Sequence, residues 1–501
     1  MNTLMNELKE RFNYKFTENF GIALESTGSK VYDMFAFGGA YRSRSEEDCI
    51  LLFKEAFEED PTLAMKCLFY LRDCRGGQGE RRFFRVCLKW LAKNYPSTVI
   101  RNIAQIADKG RWDDVFVLFD TPVDSYALNF IKRQLSLDMN DAMGNKGISL
   151  LAKWMPSENA HSQKSKAMAR HIRNYLGMDA KQYRKMLSKL RAHLRVLETL
   201  MSANRWDEIE FDKIPSKAGL VYRNAFARRD IIAKKYESFI MDKKTKVNAD
   251  TLYPYEVVRE VHKKLDWYDS EFEGTELERE TLNKYWANLK DYLNGANASM
   301  MCVIDTSGSM CGGWGVSVTP IDVAVSLGLY CAERMTGPFA NHYISFSRNA
   351  RLVETRGVDF VDKVARIVGT NLCENTNLAS VFDLLLDCVI NGKAKEEDLP
   401  KTLTVISDME IDYISNWGSK DKVQTEIDKI RDKWASHGLE LPKLVYWNVS
   451  ARQNTILDNG PNISYVSGCS PVIFESVLTG KCGVELMLEV LMKDRYKYIM
   501  A

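Results

Sequence analysis

The stretch Met301-Cys302-Val303-Ile304-Asp305-Thr306-Ser307-Gly308-Ser309-Met310 decides how the second part of this chain folds. A short apolar run ends abruptly in Asp-x-Ser-x-Ser and dissolves into Cys311, Gly312, Gly313 and Gly315. That pattern predicts a buried strand delivering one acid and two hydroxyls to a loop at its C-terminal end, where open α/β sheets hold their ligands. A carboxylate and two hydroxyls are oxygen donors suited to a hard divalent cation such as Mg²⁺ or Mn²⁺ that keeps some of its waters. Such a site needs two more donors from later in the chain. Thr376, in Asn375-Thr376-Asn377-Leu378, and Asp408, at the end of Leu403-Thr404-Val405-Ile406-Ser407-Asp408, are the candidates.

Around this stretch, strands and helices alternate. Strands are expected at 300–304, 343–346, 352–354, 402–407, 444–449 and 464–466. Helices are expected at 321–334, 360–368, 378–390, 422–436, 472–478 and 484–492. The strands are apolar without alternation, which argues a mostly parallel sheet covered on both faces. We place this α/β domain at 299–501.

Residues 1–298 read differently, with almost no β-alternation. Amphipathic segments follow one another at 45–73 (broken at Asp60-Pro61), 81–94, 97–107, 124–138, 165–176, 180–203, 217–242, 255–265 and 277–293. Successive short-linked helices indicate a bundle or a solenoid of stacked pairs. Gly110-Arg111-Trp112-Asp113-Asp114 is echoed by Asn204-Arg205-Trp206-Asp207-Glu208, which fits stacking, although two chance Arg-Trp-Asp turns would read the same. Arg72 to Arg82 is a Gly-rich, Arg-flanked break that is either a phosphate-approaching loop or a plain interhelical turn.

The chain is 501 residues long, 45% hydrophobic and 27% charged, as in soluble multidomain proteins. No apolar run is long enough to span a bilayer, and no signal-peptide core is present, so a cytoplasmic protein is expected. The 11 cysteines form no Cys-x-x-Cys pair, and reduced thiols are the expectation. From Ser299 onward 20 basic residues face 25 acidic ones, whereas the preceding part holds 49 against 42. The excess of base concentrates between Lys164 and Arg195, where Asp179 is the only acid. There Tyr183, Leu187, Leu190 and Leu194 form the buried stripe of one helix. Arg170, Arg173, Arg184, Lys185, Lys189, Arg191 and Arg195 are either candidate contacts to nucleic-acid phosphate or, as charge runs usually are, plain solvated surface.

Three other readings of the Asp-x-Ser-x-Ser loop compete. An aspartic-protease Asp-Thr-Gly would need a β-rich fold and a second partnered aspartate. A serine nucleophile would need a base that no histidine supplies by sequence. A metal-free turn would use the same side chains on the local backbone.

Asp305, Ser307 and Ser309, with Thr376 and Asp408, resemble the metal-ion-dependent adhesion site of a von Willebrand A domain. A basic helical array followed by such a domain resembles the Ro autoantigen family. In that family a TROVE domain of HEAT-like helical repeats is closed into a ring by a Rossmann-like von Willebrand A domain. Further support lies in Phe37-Gly38-Gly39-Ala40-Tyr41, Arg75-Gly76-Gly77-Gln78-Gly79 and Gly110-Arg111-Trp112. Ala152-Lys153-Trp154-Met155-Pro156-Ser157 and Leu190-Arg191-Ala192-His193-Leu194 look closer to a divergent bacterial, phage or viral branch. The resemblance implies a monomeric ring that binds small non-coding or misfolded RNA without catalysis, larger assemblies being left open. It implies a divalent cation at the five-residue site, able to grip an acidic protein ligand. The alternative is a metal-dependent protein-interaction scaffold or structural assembly protein with no RNA ligand.

Overall fold

The computed structural model describes residues 12–266, 270–312, 318–369, 375–413 and 424–501. The first part is a helical array preceded by a small hairpin, β1 (Tyr14–Phe16) and β2 (Ile22–Leu24). Its helices are α1 (Lys30–Phe37), α2 (Glu46–Glu59), α3 (Pro61–Arg72), α4 (Arg81–Asn94), α5 (Pro96–Arg101), α6 (Ile103–Lys109) and α7 (Trp112–Val115). They continue as α8 (Asp124–Met143), α9 (Leu151–Trp154), α10 (Gln163–Leu176), α11 (Ala180–His193) and α12 (Leu197–Ser202). The array ends with α13 (Ser216–Arg228), α14 (Asp230–Met241), α15 (Pro254–His262) and α16 (Glu276–Ala287).

Local chemistry sets several of the boundaries. Ser45 caps α2 by accepting from the Asp48 N–H, and Asp60 caps α3 with Pro61 at its first position. Asp179 and Gln182 form a capping box on α11.

Three expected helices are each broken in two. The 97–107 segment breaks at Asn102, whose amide group donates to Thr98 O (2.8 Å) and Met500 O (2.6 Å). The 180–203 segment breaks at Arg195, in left-handed backbone at φ +48°, and the 217–242 segment breaks at Arg229, whose backbone is extended. The β1–β2 hairpin falls in a stretch expected to lack strands.

The second part is a six-stranded sheet of β3 (Met300–Asp305), β4 (His342–Phe346), β5 (Ala350–Glu354), β6 (Thr402–Ser407), β7 (Lys443–Asn448) and β8 (Ile463–Ser467). Strand order is β5-β4-β3-β6-β7-β8, parallel except for the antiparallel β4–β5 edge. Every residue of β3 and β8 is buried, as the unbroken apolar runs required. The covering helices are α17 (Pro320–Arg334), α18 (Phe360–Gly369), α19 (Ala379–Ile390), α20 (Glu426–Ser436), α21 (Phe474–Val477) and α22 (Gly483–Leu491). The expected start of α20 at Lys422, with Gly313 and Gly315, lies outside the described residues. Among the described residues nine cysteines carry free thiols, but Cys311 is disulfide-bonded, so the thiols are not all reduced. Among the described residues, no helix is long and apolar enough to cross a membrane.

Both ends of the helical array rest on the α/β unit. At one end α1 lies on β8, where Tyr465 N–H donates to Tyr32 Oη (2.8 Å) and Ser467 Oγ donates to Phe35 O (2.9 Å). This contact also covers the sheet's edge strand. At the other end Trp286 stacks on Phe360 with centroids 4.3 Å apart, and Arg279 makes a two-pronged pair with Asp359 (2.7 and 2.8 Å).

The same interface holds a pH-sensitive strut, His262 Nδ1 lying 2.7 Å from Asp322 Oδ1. The hydrogen bond to Asp322 outweighs burial and raises the histidine above its ordinary 6.5. Its stabilising contribution is therefore complete below 6.5 and is lost as pH rises through the higher folded value. The melting temperature of wild type should fall more steeply than that of His262→Gln as pH rises from about 6.5 to about 8. Parallel pH profiles of the two proteins would refute the strut.

Candidate functional site

Adjacent strands β3 and β6 bring Asp305 and Asp408 together at the C-terminal edge of the sheet. Because β4 leaves on one side of β3 and β6 on the other, this is where the strand order reverses, the usual crevice of open α/β sheets. Asp305 is fully buried, and its carboxylate accepts from Ser307 N–H (2.9 Å) and Ser407 Oγ (2.6 Å). Ser307 Oγ and Ser309 Oγ lie 3.1 Å apart. After β6, Met409 adopts φ +68° while its N–H donates to Ser407 Oγ (2.9 Å), a tight reversal that fixes the orientation of Asp408.

Asp408 is fully buried as well. Its Oδ1 accepts from Glu410 N–H (3.2 Å), while its Oδ2 has no hydrogen-bond partner. Arg452 Nε lies 3.5 Å from that oxygen. Burial, and then the Asp408 charge, push Asp305 up to about 7, against hydrogen bonds from Ser307 and Ser407. Burial also raises Asp408, opposed by Arg452 and the Glu410 amide.

Thr376 is buried in the loop before α19 and tied to the segment after Asp408. Asp412 N–H donates to Thr376 O (3.0 Å), and Asn19 Nδ2 donates both to Glu410 O (2.8 Å) and to Thr376 Oγ1 (3.4 Å). Among the described residues no three His, Cys, Asp or Glu side chains cluster as metal ligands. The donor set is thus two carboxylates with hydroxyls, one carboxylate oxygen unsatisfied, which fits a hard cation that retains waters. Asn19, Ser407, Glu410 and Arg452 were not singled out from sequence. Only the nearness of Ser407 and Glu410 to Asp408 could have flagged any of them.

The seven basic candidates divide. Arg170, Arg184, Lys185 and Lys189 are exposed and carry no ion pair among the described residues. Arg191 is half-buried, donating to Ala152 O (2.9 Å), Met155 O (2.7 Å) and Ser157 Oγ (2.9 Å), and is a structural strut. Arg173 pairs with Glu158 (2.7 Å) and Arg195 with Glu210 (2.8 Å). The 217–246 stretch suits a single strand by sequence, through its basic residues and the interspersed Tyr222, Phe226 and Tyr236. The fold buries Phe226 and Tyr236 around Phe211 in the core, where no base could stack on them.

A second concavity gathers residues far apart in the chain. A cavity of about 920 Å³ is walled by the Gly-rich stretch, by Gly110-Arg111-Trp112, and by Trp154, Lys217 and Tyr253. Arg111, Trp154, Lys217 and Thr251 also wall a neighbouring cavity of about 780 Å³, which adds Lys153 and Tyr222, so the two form one groove. Gly79, at φ +65°, is required here because a Cβ would collide with Tyr253 Oη. Arg111 lies 5.1 Å from the centre of the Trp154 ring, and Trp112 stacks on Phe130 at 5.2 Å. Among the described residues Arg75, Arg81, Arg111 and Lys153 face no carboxylate at ion-pair distance. Of the wall acids, Asp108 pairs with Lys109 and Glu256 with Lys217, leaving Glu198 without a lysine or arginine.

The Arg-Trp-Asp echo does not extend to packing. Asp114 is fully buried beneath the groove, whereas Glu208 is an exposed partner of Arg205.

Comparison with known proteins adds relationships. Residues 299–495 match the family described as Domain of unknown function (DUF7788). An uncharacterized protein of Acanthamoeba polyphaga mimivirus is 30% identical over 510 aligned positions, covering 94% of this chain and 85% of that protein. Residues 17–111 and 111–297 match a second family over more than half of the chain, which therefore belongs to the Domain of unknown function (DUF2828) family.

Proposed function

We propose that this chain is a non-catalytic RNA-binding protein of Ro-like organisation. Its helical part holds single-stranded segments of small or misfolded RNA, and its α/β unit acts as a von Willebrand A domain with a divalent cation. The observation that carries the RNA reading is the continuous groove. Unpaired arginines and a lysine alternate there with tryptophan and tyrosine rings, the combination that tracks a phosphate backbone and stacks bases regardless of sequence. The exposed Arg170, Arg184, Lys185 and Lys189 would extend the phosphate contacts outside it. A ring is supported by the two ends of the helical array resting on one α/β unit, with groove walls drawn from segments between residues 72 and 256 and from Arg495 of the α/β unit.

The von Willebrand A reading is supported by the strand order with one antiparallel edge and by Asp305, Ser307, Ser309 and Asp408 at the reversal point. Mg²⁺ or Mn²⁺ held there would act as a Lewis-acid anchor for an acidic group. The unsatisfied Asp408 Oδ2 favours this metal-dependent grip, and hence the scaffold reading, as a second function.

Titration of a fluorescent single-stranded RNA at rising salt tests the main proposal. Four groove cations predict a log–log slope of about −3. Absence of binding at about 50 mM salt would rule the RNA function out.

A further inference from the structure

The tip of the β1–β2 hairpin is fastened to both loops that supply the later donors of the Asp305–Asp408 site. Thr17 Oγ1 donates to Ile411 O (2.7 Å), Asn19 reaches Glu410 O and Thr376 Oγ1, and Tyr413 N–H donates to Asn19 O (3.3 Å). Phe20, at φ +64°, closes the turn. Glu18 stands at this tip. Its N–H donates to Glu410 Oε2 (2.8 Å), while its own carboxylate pairs with Arg452 Nη2.

The Nε of that same guanidinium is the atom 3.5 Å from Asp408 Oδ2, the buried site oxygen that lacks a hydrogen bond. One cation thus lies between Glu18 and the unsatisfied oxygen. Two carboxylates converging on a shared positive group offer the oxygens that a divalent ion takes. Glu410 is not the free donor of the pair, because its oxygens already accept from the Glu18 amide and from Thr455 Oγ1 (3.1 Å) and it is fully buried. The side chains of Glu18 and Arg452 are 36% and 37% exposed, leaving both room to rearrange.

We propose that Glu18 is an internal acidic ligand of the cation site. When a divalent ion takes the place of Arg452, the Glu18 carboxylate fills the coordination position that a partner's acidic side chain would otherwise occupy. The inference rests on reading Asp305, Ser307, Ser309 and Asp408 as a cation site. It adds that the site is served from within the chain, so that an external acidic ligand gains access only when the N-terminal hairpin leaves.

Mn²⁺ binding to the full chain, followed by the loss of the free-ion EPR signal, tests this. Wild type should bind Mn²⁺ and Asp408→Ala should not. Glu18→Gln should bind about tenfold more weakly, and Arg452→Gln more tightly because a competing cation is gone. The opposite signs matter, since a pair that merely staples the hairpin would weaken binding in both variants, and that result overturns the proposal. Glu18→Gln binding as tightly as wild type, with Asp408→Ala inactive, removes Glu18 while leaving the cation site standing. Failure of wild type to bind, or Asp408→Ala binding normally, removes the cation site itself and the inference with it.

Discussion

Asp114→Asn is expected to destabilise the fold by about 3–5 kcal/mol. Asp114 is fully buried and receives three donors. Arg72 Nε reaches Oδ2 (2.8 Å), Arg85 Nε reaches Oδ1 (2.6 Å), and the Arg111 N–H reaches Oδ2 (2.9 Å). Arg72 is itself only 2% exposed and has no other carboxylate at ion-pair distance among the described residues. Asparagine keeps the shape but turns one acceptor into a donor and removes the negative charge. Arg72 is then left as a buried cation without a counter-charge, the most expensive way to break such a pair. Gly110 is part of the arrangement, because a Cβ there would stand 2.4 Å from Asp114 Oδ2. Urea unfolding should show a lower midpoint with an unchanged slope. A loss below about 1 kcal/mol would mean that the pair is solvated and gives the fold little.

Arg111→Glu combined with Trp154→Ala should reduce affinity for single-stranded RNA about 100-fold or more. Removal of one stacking ring costs about 1–3 kcal/mol, and reversal of one phosphate contact weakens binding further. The two side chains touch, so their effects should not be additive. Arg111 holds the fold through its backbone N–H to Asp114, which the substitution keeps. The informative control is Arg184→Glu with Lys185→Glu on the exposed face of α11. A larger loss there than in the groove would move the binding surface outside, to the place first read from sequence.

Much of the α/β unit was legible because buried parallel strands are written as continuous apolar runs. Thr402–Ser407 was read to the residue, and Asp305 and Asp408 fall at the strand ends where their sequence context put them. The helical part was legible in its periods but not in its breaks. Asn102 interrupts a helix through a bond to Met500, and no local pattern carries a partner 398 residues away. The β1–β2 hairpin was invisible for a related reason. Each strand has three residues, too few for a period, and the tip is anchored by loops near residues 376 and 411.

The basic stretch misled in part because charge along a helix does not report what its neighbours are. Arg191 stands in the groove wall but is engaged with carbonyls, while the groove cations that face no carboxylate among the described residues are at 75, 81, 111 and 153. Gly110-Arg111-Trp112, the Gly-rich break and the Lys153-Trp154 pair were sequence signals of that groove.

The seat of α1 on β8 also sets a timetable for synthesis. Tyr32 and its hydrogen-bond partner Tyr465 are 433 residues apart. At ribosomal speeds of about 5–20 residues per second, β8 follows α1 by roughly 20–90 s. Throughout that interval the apolar face of α1, with Val31, Met34, Phe35 and Phe37, has no sheet to cover it. The nascent helical array must therefore wait with an open seam, a natural client for chaperones. The last strand to emerge decides when the first helix is finally sheltered.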